Sequence, residues 1–142
     1  MSSSTASLRP VDTAPPDEAF RSPPHNLEAE MALLGAILVN NEAADRVTSF
    51  LNAEHFFEAL NARIFEAATT LIRIGKLASP VTLKSHFDSD LTLKEVGGPA
   101  YLARLAANAT TIINAEEYGR TIYELAQRRK LIGVGTDLVN EA

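Results

Sequence analysis

Apolar residues recur three and four positions apart along most of this chain, and runs that alternate apolar with polar are nearly absent. That spacing is the signature of helices with one buried face, and it predicts an all-α protein. Leu27, Met31, Leu34 and Leu38 line one face of a first helix, and Leu33 and Ile37 widen it to the breadth expected of a central helix. Asn26 is placed to cap that helix, with Glu28 and Glu30 in its first turns, where the helix dipole favours acids. Ala44, Val47 and Leu51 predict a second helix, and Asn52 offers a cap ahead of Phe56 and Phe57. Leu60, Ile64, Ala68 and Leu71 predict a longer helix that stops at Gly75. Ser79 or Thr82 caps a short helix, and Gly97-Gly98 turns the chain before Pro99 opens another that carries Tyr101, Leu102 and Leu105. Asn114 and Glu117 have the spacing of a capping box, which starts the last helix there. The pattern therefore gives a compact bundle of about six short helices followed by one long C-terminal helix.

That last helix poses a problem. Tyr118, Ile122 and Leu125 make one apolar set, and Leu131, Val134 and Leu138 make a second, yet no turn follows in the sequence. A helix whose apolar face has no cover in its own chain is expected to pair with another helix. Gly133 and Gly135 weaken it locally, by roughly 1 kcal/mol each relative to alanine, and predict a bend.

Composition narrows the function by exclusion. Residues 1–25 are rich in Pro, Ser, Thr and Ala and poor in large apolar residues, which predicts a disordered tail rather than a signal peptide. The longest apolar run, residues 31–39, is too short to span a bilayer, so a cytoplasmic protein with no membrane partner is expected. There is no cysteine, which removes disulfides and Cys-ligated zinc. His25, His55 and His86 fall in separate segments without metal-ligand spacing. No phosphate-binding loop is present: Gly75-Lys76 lacks the earlier glycine and is followed by Leu77. Glu28 and Glu30 point in different directions on a helix and form no catalytic pair, and no serine lies in a nucleophile elbow. The chain as it stands is not expected to be an enzyme, and no cofactor is expected in it. Its net charge is −5, and the one basic cluster, Arg128-Arg129-Lys130, spreads over different sides of a helix. A helical DNA-binding module using that cluster is the weaker alternative, because phosphate-backbone binding needs a broad basic patch. Binding or assembly with protein partners remains.

Four segments in unbroken order resemble the N-terminal domain of the bacterial replicative DNA helicases, the DnaB family. "PPHNLEAEMALLGAILVNNEAADRV" is similar to that domain's opening, and "HFFEALNARIFEAATTLIRIGKLASPVTLKSHF" to its next part. "LKEVGGPAYLARLA" resembles the Val-Gly-Gly-x-x-Tyr-Leu signature, and "NAEEYGRTIYELAQRRKLI" the start of a helical hairpin. The resemblance implies a head at residues 26–113 and, at 114–142, the first helix of a dimerisation hairpin, truncated. The family continues into a second hairpin helix, a linker and a RecA-like ATPase domain that uses ATP and Mg, none of which is present in this sequence. A helicase fragment is the implied reading; a stand-alone helical adaptor that regulates helicase or primase is the alternative.

The resemblance also implies partners. Family members pair their hairpins and assemble a collar, a trimer of dimers, that docks the C-terminal domain of primase; DNA is met only through the ATPase part. On that basis Tyr118, Ile122, Leu125, Leu131, Ile132 and Leu138 are expected to face a hairpin partner, with docking on the head of the same chain as the alternative, an almost equal one for Tyr118 and Ile122. Arg128 and Arg129 are the candidates for the primase contact, since guanidinium groups pair well with acids.

Overall fold

The structure, a computed structural model, describes residues 22–87 and 91–141. Most of the expected tail, residues 1–21, lies outside the described residues. The described chain is helical and contains no strand: α1 (Leu27–Val39), a 3-10 helix (Asn41–Arg46), a 3-10 turn (Ala53–His55), α2 (Ala59–Arg73), α3 (Pro80–His86), α4 (Leu91–Glu95), α5 (Pro99–Ala107) and α6 (Ile112–Glu141).

Local chemistry starts and stops these helices much as the sequence leads one to expect. The Asn26 side chain accepts the Ala29 N–H at 2.9 Å, and the Asn52 side chain accepts from Glu54 at 3.2 Å. Ser79, not Thr82, is the N-cap of α3, and the two exchange hydrogen bonds across a capping box with Pro80 at the first helical position. α2 ends in a double bond pattern, Gly75 N–H to the Ile72 carbonyl and Lys76 N–H to the Leu71 carbonyl, with Gly75 at φ +81°. Two elements differ from expectation. The stretch after α1 closes as a 3-10 helix, with Ala43 bonded to Asn40 and Val47 to Ala44. Asn41 explains it: its amide donates to the Ile37 and Ala78 carbonyls and accepts the Ala78 N–H, which ties the segment down before an α-helix can propagate. The last helix begins at Ile112, ahead of Asn114, and the Thr111 hydroxyl accepts the Asn114 N–H at 3.2 Å. It then runs through Gly133 and Gly135 without a break in the helix.

α1 is the central helix, packed by α2, α5 and α6. Leu33, Leu34 and Ile37 are fully buried and meet Leu60 and Ile64 of α2, Leu83 of α3, Leu102 and Leu105 of α5, and Ile122 of α6 in one core. Each such side chain contributes about 1.5–3 kcal/mol on burial. Gly35 sets how closely α1 and α5 approach, because an added Cβ would lie 1.9 Å from the Leu105 carbonyl oxygen.

A charge sits inside this core. Glu30 is only 2% exposed, and its carboxylate accepts the Phe57 N–H at 2.6 Å, the Glu58 N–H at 3.3 Å and the Asn61 amide at 3.0 Å. The first two donors precede α2, whose own N-cap residue, Glu58, makes no side-chain cap. Asn61 in turn accepts the Tyr101 hydroxyl at 2.6 Å. Burial, aided by Glu58 and Glu30, raises the Tyr101 phenol above its ordinary 10.0 and keeps it a donor; Arg104 and the Asn61 bond oppose the shift. One buried network thus joins α1, α2 and α5.

Replacing Glu30 by Gln puts an NH₂ group or a neutral oxygen against donors that a carboxylate now satisfies. Unfolding by urea is expected to show a loss of about 2–3 kcal/mol for Glu30→Gln, while Glu28→Gln, an exposed control two residues away, leaves the midpoint in place. Gly35→Ala is expected to lower stability by about 3 kcal/mol, since the obstructing atom is backbone and cannot rotate aside. Equal stability of this variant and the parent in the same titration would contradict the close α1–α5 crossing.

Candidate partner interface on the long helix

α6 has two parts of different character. Its root belongs to the head: Ala115, Gly119 and Ile122 are buried, and a Cβ on Gly119 would lie 2.5 Å from Val47. Glu116 there pairs with Arg46 at 3.7 Å and Arg120 at 3.3 Å, and the Arg120 guanidinium lies 4.5 Å from the centre of the Phe50 ring. From residue 131 to 140 every side chain is exposed, including Leu131, Ile132, Val134, Leu138 and Val139.

The boundary between the two parts is Arg129. Its guanidinium donates to the Pro24 carbonyl at 2.8 Å and the His55 carbonyl at 2.7 Å, and lies 5.5 Å from the centre of the Phe57 ring. His25 also stacks on Phe57, with ring centres 4.1 Å apart and planes 9° apart. Tyr123 meets His55 edge-on at 5.0 Å and Phe50 at 5.9 Å. One arginine thereby fastens the lead-in strap, the 3-10 turn and α6 together.

The expected interface residues separate accordingly. Tyr118 is half-buried against the core, and Leu125 is half-buried. Ile122 is 2% exposed and points into the chain's own core, so it has no surface left for a second chain and the expectation for it is corrected. Leu131, Ile132 and Leu138 are open, at 71%, 55% and 63% exposure. Of the two arginines, Arg128 is exposed, whereas Arg129 is engaged within the chain and cannot greet a partner without releasing two carbonyls. The sequence reading passed over Glu30 and the internal role of Arg129. Glu30 had a signal, since it stands on the same face as Leu33, Leu34 and Ile37. Arg129 had none, because its partners are backbone carbonyls far away in sequence.

Steps of seven along α6 expose a further order. Tyr118, Leu125, Ile132 and Val139 form one lengthwise row; a second row, about 100° around the helix, reads Glu117, Glu124, Leu131 and Leu138, with Thr121, Arg128 and Gly135 between the two. Seven residues are nearly two helical turns, so each row stays on one side with a drift of about 20° per step. The second row changes from acidic near the head to apolar further out.

His55 Nδ1 accepts the Asn52 N–H at 3.0 Å, so the clasp needs a neutral ring. Its pKa is lowered from 6.5 by burial first, with Arg129 and Lys130 adding to the effect against Glu54. A depressed histidine pKa means the folded state binds fewer protons, so this contribution is present above the unfolded value and lost as pH falls through the folded one. The melting midpoint is expected to drop between about pH 7.5 and about pH 5.5, and His55→Gln, which keeps an acceptor but does not titrate, should show a smaller drop.

Comparison with known proteins gives one consistent answer. The family profile described as DnaB-like helicase N terminal domain matches residues 22–124. A replicative DNA helicase DnaB of Rickettsia prowazekii is 43% identical over 119 residues, which are 84% of this chain and 24% of that protein. The Treponema pallidum protein of the same name is 39% identical over 120 residues, 84% of this chain and 27% of its own length. The chain thus spans about a quarter of the length of these curated relatives. Among solved structures, the N-terminal domain of DnaB helicase from Mycobacterium tuberculosis superposes with a TM-score of 0.77 at 30% identity, covering 84% of this chain and 86% of that one. A DnaB-like replicative helicase, from a study that also describes its interactions with primase, gives 0.69 at 27% identity, over 82% of this chain and 27% of that one. This chain belongs to the DnaB-like helicase N-terminal domain family.

Proposed function

We propose that this chain is the collar-forming part of a cytoplasmic replicative helicase, in which a head (residues 26–113) carries a hairpin helix (residues 114–142) that pairs with another subunit and docks primase. The observation that carries this reading is the uncovered outer stretch of α6, where five large aliphatic side chains lie open to water. Leaving them exposed forgoes about 1.5–3 kcal/mol each, a strong drive for helix pairing. The revised contact set is Leu125, Leu131, Ile132 and Leu138, with Tyr118 at its edge; Ile122 drops out because the head already covers it.

Paired hairpins would build the trimer-of-dimers collar, and ATP, Mg and DNA would be handled by the ATPase part of the longer protein. That longer protein would be the enzyme, with this domain setting subunit arrangement. For primase, Arg128 is the better of the two arginines, since it is exposed and beside the apolar stripe while Arg129 is committed to the clasp. The named primase interactions of the structural relative support the partner class.

Sedimentation or light scattering across a concentration series tests the self-association. The chain should shift from monomer toward dimer, and Leu131→Asp with Leu138→Asp should weaken the association by about tenfold or more while the melting midpoint holds. A dimer that persists unchanged in that double variant would sink the pairing stripe. Arg128→Glu should weaken binding of a primase C-terminal domain by several-fold, mainly through a slower on-rate that disappears in high salt.

A further inference from the structure

Residues 22–26, the strap that leads into α1, are built as a piece of structure in their own right. The Pro23 carbonyl accepts the His25 Nδ1–H at 2.7 Å, which orients that ring for its stack on Phe57. The Pro24 carbonyl accepts from Arg129, and the Asn26 side chain caps α1. Two successive prolines fix φ at both positions, so the strap is stiff. It is nonetheless held from outside: Ser22, Pro23 and His25 are exposed, and no strap side chain belongs to the core.

On α6 the last side chain in the core is Ile122, and every residue from 131 to 140 is exposed. Arg129 stands seven residues beyond Ile122, about 10 Å along the axis. Among the described residues it makes the outermost hydrogen bonds from α6 to the rest of the chain, one to the strap and one to the 3-10 turn. A rod held at two points keeps one direction; held only at its root, it swings. The floor of this second point is fixed, because the Phe57 N–H is bonded to buried Glu30. The strap side is not: its hold on α6 is a polar contact between half-buried groups, which water can replace.

We infer that the strap and Arg129 form a latch: closed, it holds the outer stretch of α6 in one direction from the head, and released, it lets that stretch swing about its root at Ile122. Arg129 is thus a positioning residue rather than a partner contact. A guanidinium suits the task because its flat fork donates to two carbonyls at once, one from each neighbouring segment. The latch rests on the collar reading only for its consequence, that the direction of the pairing helix is set from the strap.

The sequence has no cysteine, so spin labels go only where cysteines are introduced. Thr70→Cys on α2 and Thr136→Cys on α6, both at exposed positions, put one label on the head and one on the outer stretch. Their distance distribution, read by pulsed electron resonance at a concentration where sedimentation shows a monomer, is expected to be narrow. Arg129→Ala, and Arg129→Lys, whose single ammonium does not reproduce the fork, should each broaden it about twofold or more. Pro23→Gly with Pro24→Gly, which keeps every bonding atom but loosens the strap, should broaden it as well. Arg128→Ala, one residue away and exposed, should leave it narrow. Circular dichroism should show the same helix content throughout, since none of these changes enters the core. If Arg129→Ala fails to fold, the double-glycine variant puts the same question without touching α6. A broad distribution in the parent, or a narrow one in the folded Arg129 variants, would overturn the latch. A narrow distribution in the double-glycine variant beside broad ones at Arg129 would overturn the strap's part in it. The readout is taken on single chains, so a chain that never dimerises sinks the pairing stripe and leaves this test intact.

Discussion

A buried carboxylate organises the head of this protein. A carboxyl group buried in an apolar core needs hydrogen-bond donors, and Glu30 has three: two backbone N–H groups that lead into α2 and the Asn61 amide. The acid therefore does for α2 what an N-cap side chain would do, from a different helix. Through Asn61 and the Tyr101 hydroxyl the same network reaches α5. Apolar packing alone would hold these helices together at many angles. Satisfying one charge by these particular donors leaves a single arrangement, and the Gly35 crossing at Leu105 then fixes the spacing between α1 and α5.

The position of α2 carries through to the long helix. Phe57, whose N–H binds Glu30, also offers its ring to His25 and to Arg129, so the clasp on α6 is built on a residue the buried carboxylate already places. Arg129 adds two carbonyl bonds, one to the strap and one to the 3-10 turn. Upstream of it α6 is part of the head; downstream it projects with its aliphatic side chains uncovered. The packed root thereby sets the direction in which the outer stretch and its aliphatic side chains project.

How much of this was legible beforehand depends on the range of each interaction. Helix identities, the caps at Asn26, Asn52 and Ser79, and the stop at Gly75 rest on contacts within a few residues, and periodicity and cap chemistry report those directly. The apolar spacing of Leu131, Val134 and Leu138 was legible too, since it lies within a few turns of one helix. Element ends were less so: Asn114 and Glu117 have the spacing of a box, yet Thr111 serves the helix that starts at Ile112.

The sequence by itself determined the helical class, the breadth of α1's buried face, the family and the apolar spacing along the last helix. Tertiary structure alone decided which apolar residues of that helix are spent on the head. Ile122 and Leu131 are equally apolar in sequence, but only the packing of α6 over Val47 and α1 buries the first and leaves the second in water. It also decided that Arg129 is internal and Arg128 is not, a difference of one residue on a helix and hence of about 100° in direction. Periodicity specifies that a helix has a buried side; which partner covers each turn depends on contacts between residues far apart in the chain, and those exist only once the chain has folded.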